Sequence, residues 1–118
     1  MNDSLLMEVR DMQAELTIIR QDIHAHPEMT MEEQRTSALV ASKLKEWGLT
    51  VTEGVGRFGV VGTLTSIKPD NRSIGLRADM DALQLIEKNN VSYVSTKLGT
   101  MHACGHDGHT AMLLGAAK

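Results

Sequence analysis

The 118-residue sequence is poor in the residues that mark several classes of protein. Its single cysteine, Cys104, excludes an internal disulfide framework. Phenylalanine, tryptophan and tyrosine occur once each and the formal net charge is -3, so the basic, aromatic-rich surface typical of nucleic-acid binding is missing. No apolar run approaches the roughly 20 residues of a membrane span, and the N-terminus lacks the apolar stretch of a signal peptide. We therefore expect a cytoplasmic protein that binds neither nucleic acid nor membrane.

The hydrophobic period predicts two helices in the first part of the chain. Apolar residues recur at intervals of three, four and seven over residues 3–24, and Pro27 ends this pattern because the residue before a proline is disfavoured in a helix. Thr30 followed by Glu33 has the pattern of a capping box. This pattern predicts a second helix from residue 30 to about residue 47.

From residue 49 the hydrophobic period changes to two, which predicts strands. The runs LTVTEGV, GVVGTLTSI and SIGLRADM are rich in β-branched residues and are separated by glycine or by the turn sequence KPDNR. Residues 84–100 have weak periodicity and are expected to be irregular, and a third helix is expected to begin near His109. Helices and strands in this order predict an α/β protein with helices packed on a sheet.

Residues 54–59, GVGRFG, match the letters of the dinucleotide-binding fingerprint. That fingerprint requires a helix after the glycines, so that a pyrophosphate meets the helix N-terminus. The sequence that follows here is typical of a strand. We therefore interpret the stretch as a glycine-rich hairpin.

Two aspartates, Asp79 and Asp81, stand where the last strand-like run ends. Residues two apart on a strand project to the same face, and ligand crevices form at strand ends in α/β proteins. A solvated turn held by aspartate side chains explains the pattern equally well. The residues alone leave both alternatives open.

The densest group of chemically active side chains is HACGHDGH, residues 102–109. Thiolate and imidazole are the usual ligands of zinc-like metals, and a carboxylate can bridge two ions or orient an imidazole. A thiol nucleophile paired with a neighbouring imidazole is the alternative, although such partners are usually distant in sequence. We favour a metal site, with five candidate groups: His102, Cys104, His106, Asp107 and His109. His24 and His26, near a helix end, are expected to be structural.

Four motifs in order resemble one enzyme family: IHAHPEMTMEEQRTS, GVVGTL, GLRADMDAL and MHACGHDGHTAMLLGAA. From about residue 16 to residue 118 the chain is similar to the N-terminal third of the hippurate hydrolases and N-acyl-amino-acid amidohydrolases. These belong to the dimetal aminoacylase and carboxypeptidase group of zinc-peptidase-like enzymes, which includes the indole-acetyl-amino-acid hydrolases. One departure is Gln84, where the family usually has proline.

The resemblance implies a role for each matching residue. It makes Cys104 and His106 metal ligands, with the cysteine bridging two divalent ions, manganese or zinc. Asp81 corresponds to an aspartate that orients ligands from behind the metals. Four further residues are expected to support the ligands or face the substrate: Asp79, His102, Asp107 and His109.

The resemblance also implies a fold and a reaction. It predicts the N-terminal portion of a zinc-peptidase-like catalytic domain, with helices on a mixed sheet, in which residues 1–118 form an incomplete part and the lid or dimerisation domain is absent. The general-base glutamate is expected beyond Lys118. The implied reaction is hydrolysis of the amide bond of hippurate-like N-acyl or N-aroyl amino acids, in an enzyme that could be a homo-oligomer. The alternatives are a non-catalytic metal-binding or interaction module and a thiol enzyme.

Overall fold

The computed structural model describes residues 3–68 and 71–118. Its elements, in chain order, are α1 (Asp3–Asp11), α2 (Gln13–Ala25), α3 (Gln34–Glu46), β1 (Thr50–Val55), β2 (Gly59–Thr63) and α4 (His106–Ala117). The first predicted helix is therefore divided at Met12. The two halves differ in packing, because α1 buries no residue whereas α2 buries Ile19 and Ile23.

Strands β1 and β2 form an antiparallel hairpin, which confirms our interpretation of the GVGRFG stretch. Thr50 pairs with Thr63, and the register shifts by a bulge between Glu53 and Val55. Arg57 in the turn has φ 100°, a left-handed conformation that is uncommon outside glycine. A strand, and not a helix, follows the glycines, so the geometry required for dinucleotide binding is missing there.

The third predicted strand was wrong for the residues that the structure describes. Residues 73–80 have no regular secondary structure and belong to no ladder. A strand needs a neighbour to accept its hydrogen bonds, and Ile74 and Leu76 of this segment are largely exposed. The only parallel pairing among described residues is the isolated bridge between Met29 and Ala82, while the hairpin supplies the antiparallel sheet. Pro69 and Asp70 of the predicted KPDNR turn lie outside the described residues.

Helix α3 begins later than predicted and is capped by a different residue. The predicted capping box with Thr30 at the N-cap was wrong, because the N-cap is Glu33, which makes no side-chain cap bond, and the Thr30 hydroxyl donates to Asp81 instead. The carboxylate of Glu28 instead accepts from the backbone N–H groups of Arg35 at 2.8 Å and Thr36 at 2.7 Å. The chain turns back between these segments, so a carboxylate upstream of the turn reaches donors that a helix N-terminus leaves unpaired.

The core lies where α2, α3 and α4 meet, around Ile19, Ile23, Val40, Leu44 and Leu114. Leu114 is 2% exposed and belongs to this core, whereas Met112 on the same helix is strongly exposed. None of the described helices combines the length and apolarity needed to cross a membrane.

Candidate metal centre

Two pieces of chain meet to form the candidate site: residues 77–82 and the first turn of α4. The first piece is anchored by the N–H of Ala82, which donates to the Glu28 carbonyl at 2.8 Å, and by mutual bonds between Leu83 and Met101. Gly105, with φ 97°, precedes α4 in a left-handed conformation that glycine adopts at little cost. The helix therefore starts at His106, three residues before the predicted position.

Asp79, His106 and His109 converge on one point. His106 and His109 are three residues apart on α4 and so share a helix face, with ring centroids 5.5 Å apart. Asp79 Oδ1 accepts from His109 Nδ1 at 3.1 Å, and Asp79 Oδ2 lies 3.4 Å from His106 Nε2. One ligand atom from each residue lies within 4.8 Å of the others. A carboxylate oxygen and two imidazole nitrogens are a donor set that suits a zinc-like or manganese ion.

Asp81 fixes the orientation of the His106 ring. His106 Nδ1 lies 2.9 Å from both the backbone carbonyl and Oδ1 of Asp81. A carbonyl oxygen can only accept, so Nδ1 carries the proton, and in the neutral ring Nε2 then holds the lone pair that can bind a metal. Thr30 donates to the second carboxylate oxygen, Asp81 Oδ2, at 2.6 Å.

Hydrogen bonds keep both aspartates anionic. The bond from His109 is the largest cause that lowers the pKa of Asp79, against the opposing effect of burial. The Thr30 hydroxyl is the largest cause that lowers the pKa of Asp81, and His106 adds to it. Arg77, with its guanidinium 3.8 Å from Asp79 Oδ2, contributes a further positive charge. The site therefore presents negative charge to a cation.

Cys104 is exposed and does not join this group in the structure. Within the part of the chain that the structure describes, Cys104 has no imidazole partner: the ring nitrogens of His102 have no hydrogen-bond partner, those of His106 face the two aspartates, and His109 Nδ1 bonds to Asp79. A thiol nucleophile needs a base within hydrogen-bond reach. The geometry thus gives no support to the thiol enzyme.

His102 and Asp107 lie on the inner side of the same segment, away from the group formed with Asp79. Asp107 is 4% exposed, and its Oδ2 is 2.8 Å from Nδ1 of His24. His24 Nε2 is in turn 2.9 Å from Glu87 Oε1. Burial lowers the pKa of His102, which favours the neutral ring. Of the five candidate groups of HACGHDGH, His106 and His109 therefore lie outward with Asp79, His102 and Asp107 lie inward, and Cys104 belongs to neither cluster.

Sequence reasoning missed two contributors, Thr30 and Glu87. Thr30 was assigned to a helix cap, and no local pattern relates it to Asp81, which is 51 residues away. Glu87 lies in the irregular segment, where no periodicity indicates which side chains are buried. His24 was expected to be structural, and its buried contacts with two carboxylates agree with that expectation.

The residues that build the site coincide with a known family pattern. Residues 75–118, which contain every member of the Asp79, His106 and His109 group, match the sequence model of Peptidase family M20/M25/M40. This match and the relatives described next confirm the resemblance inferred from the four motifs.

Individual relatives are hydrolases of this kind. The chain is 53% identical over 115 residues to the hippurate hydrolase of Campylobacter jejuni, covering 98% of this chain and 30% of that protein. It is 40% identical over 110 residues to the N-acyl-L-amino acid amidohydrolase of Geobacillus stearothermophilus, covering 93% and 30% respectively. The chain is thus related to the N-terminal part of enzymes, and it spans about a third of their length.

A solved structure confirms the fold. The YXEP protein of Bacillus subtilis, described as a dinuclear metal binding peptidase from the M20 family, superposes with a TM-score of 0.86 at 35% identity. The match covers 92% of this chain and 30% of that protein. The α/β class expected from the resemblance is therefore confirmed.

Proposed function

We propose that this chain contributes part of the dimetal centre of an amidohydrolase that cleaves N-acyl or N-aroyl amino acids such as hippurate. The observation that carries the proposal is the convergence of Asp79, His106 and His109, with Asp81 bonded behind His106. The hippurate hydrolase and N-acyl-amino acid amidohydrolase relatives support the substrate class.

We assign Cys104 and His106 as metal ligands, from the matched motif. The lone pair on His106 Nε2 supports its assignment, because Asp81 holds the proton on Nδ1. Cys104 lies in the exposed loop just before α4, where small backbone rotations move a side chain without disturbing the core. Asp79 and His109 supply further donors at the same point, as supports of the ligands or as contacts to the substrate.

The chain's residues have holding and orienting roles in this proposal. Manganese or zinc ions bound here supply the Lewis-acid chemistry that amide hydrolysis requires. His106 and Cys104 fix where the ions sit, and Asp81 fixes the plane of the imidazole. We propose that a glutamate from outside residues 1–118 acts as the general base, taking a proton from water and returning it to the leaving amine. We accordingly assign residues 1–118 to the N-terminal part of a catalytic domain.

Metal binding by the 118-residue chain tests the assignment of ligands. Cobalt(II) is the probe, because a thiolate ligand adds a charge-transfer absorption band in the near ultraviolet. We expect His106→Ala to abolish most binding and Cys104→Ser to remove the thiolate band. His26→Ala, a histidine outside the group, should leave both the affinity and the band unchanged. A thiolate band that persists in Cys104→Ser, or unchanged affinity in His106→Ala, would contradict the assignment.

A hydrolysis assay tests the proposal that the general base lies outside residues 1–118. The chain alone is expected to show no cleavage of hippurate after chelation and re-addition of manganese or zinc, because no described residue is placed as a base over the group. Fewer than three firm protein ligands also bind a catalytic ion weakly. Metal-dependent cleavage by the purified chain would show that residues 1–118 already contain the base.

A further inference from the structure

We propose that Thr30 is a positioning residue for the metal ligand His106 and that it acts through Asp81. The Thr30 hydroxyl donates to Asp81 Oδ2 at 2.6 Å, while Oδ1 of the same carboxylate lies 2.9 Å from His106 Nδ1. One carboxylate thus connects the turn before α3 to the first residue of α4. The inference rests on the proposed function, since it takes His106 to be a ligand.

The hydroxyl determines which way the carboxylate of Asp81 faces. The backbone carbonyl of Asp81 is fixed by the chain, but its carboxylate can rotate about the terminal side-chain torsion, which has a broad energy profile. Thr30 occupies Oδ2, so Oδ1 remains directed at the His106 ring. Without the hydroxyl, Oδ2 loses a charge-assisted hydrogen bond and the carboxylate is free to turn. The ring would then be held by the carbonyl alone.

Thr30 can act in this way because its backbone is itself held in place. The preceding residue, Met29, pairs with Ala82, and the Glu28 carbonyl accepts the N–H of Ala82 at 2.8 Å. The Glu28 side chain at the same time binds the start of α3. The hydroxyl is therefore presented from a fixed frame, as an effective supporting group requires. Its own side chain is exposed, so the core does not depend on it.

The experiment compares Thr30→Val, which removes the hydroxyl at nearly constant shape, with Thr30→Ser, which keeps it. Thr52→Val, an exposed threonine on β1, is the matched control. The first measurement is the NMR signal of the His106 Nδ1 proton in metal-free protein. The second is cobalt(II) affinity by competition with a coloured chelator. Thr30→Val should speed exchange of the proton and weaken affinity about 3- to 10-fold, less than the roughly 10- to 100-fold typical of groups bonded directly to a ligand.

Thr30→Ser should keep both properties, and Thr52→Val should match the parent chain. In an Asp81→Ala background Thr30→Val should add nothing, because residues that act through one group are not additive. The proposal is overturned if Thr30→Val leaves the proton and the affinity unchanged, or if its effect persists in full without the Asp81 carboxylate. A parent chain with a protected Nδ1 proton whose cobalt affinity is unchanged by His106→Ala would instead refute the assignment of His106 as a ligand, and with it the proposed function, and leave the bond from Thr30 through Asp81 to the ring standing.

Discussion

At the scale of single residues, His24 shows how the inner side of the site is held together. Its ring lies between two carboxylates, with Asp107 Oδ2 2.8 Å from one nitrogen and Glu87 Oε1 2.9 Å from the other. All three side chains are at most 7% exposed. The Arg20 side chain adds a positive charge 3.4 Å from Asp107. Buried charges are tolerated only when they are paired in this way, and removal of one partner is costly.

Glu87 makes this pairing testable through pH. Burial is the largest effect on its pKa and raises it, but bonds from His24, the Ser95 N–H and Asn89 outweigh burial and hold the pKa below the ordinary value of a glutamate. A lowered carboxyl pKa contributes stability that is complete above the unfolded value and is lost as the pH falls through the folded value. Glu87→Gln should therefore cost about 1–3 kcal/mol in the free energy of unfolding at neutral pH.

The cost of Glu87→Gln should shrink between neutral pH and a pH below the lowered folded-state pKa of Glu87, because the parent carboxyl then becomes protonated as well. Urea unfolding monitored by Trp47 fluorescence measures this difference. Glu32→Gln, an exposed carboxylate 3.6 Å from Lys97, should change stability by less than about 0.5 kcal/mol at either pH. An equal cost for Glu87→Gln at both ends of the pH range would show that the Glu87 charge contributes nothing.

At the scale of elements, the sequence predicted local structure well and long-range pairing poorly. Helices α2 and α3 follow from their apolar period, and the hairpin follows from glycine and β-branched residues. The third predicted strand was wrong, because the pairing of a strand depends on residues distant in the chain, which a local hydrophobic period does not reveal. The predicted strand placed the side chains of Asp79 and Asp81 on one face. That strand is absent from the residues that the structure describes, but both carboxylates contact the His106 ring. Their contact with α4 depends on tertiary structure, which the periodicity of the sequence does not predict.

The start of α3 offers a direct comparison between the two capping arrangements. Glu28→Ala removes the acceptor of the Arg35 and Thr36 N–H groups and of the Thr36 hydroxyl, and it leaves donors of a largely buried residue unpaired. We expect a loss of about 1–3 kcal/mol in the free energy of unfolding, at or above the range of ordinary N-caps. Glu33→Ala should cost less than about 0.5 kcal/mol, since Glu33 makes no cap bond. Chemical denaturation monitored by circular dichroism at helical wavelengths measures both losses. A larger loss for Glu33→Ala than for Glu28→Ala would support the capping box.

At the scale of the whole molecule, the packing is one-sided. Helices α2, α3 and α4 share a core, while β2, residues 74–76 and the end of α4 border an open groove of about 420 Å³. The groove is lined by aliphatic side chains, and Leu64 and Ile74 at its edge are 75% and 86% exposed. Residues 74–76 also belong to no strand ladder. An apolar patch beside backbone that is not paired in a sheet favours association.

We therefore expect the 118-residue chain to self-associate as its concentration rises through the micromolar range. Sedimentation velocity over a dilution series measures this association. Replacing Leu64 and Ile74 together by lysine should shift the distribution to monomer, because charged groups on an exposed edge oppose both apolar contact and strand pairing. Leu98→Lys is the control: Leu98 is 88% exposed but is not part of the groove lining, so its replacement should leave association unchanged. If Leu98→Lys dissociates the assembly as well as the double variant does, general surface apolarity drives association. A monomer at every concentration would mean that the groove and its unpaired edge do not attract a second copy.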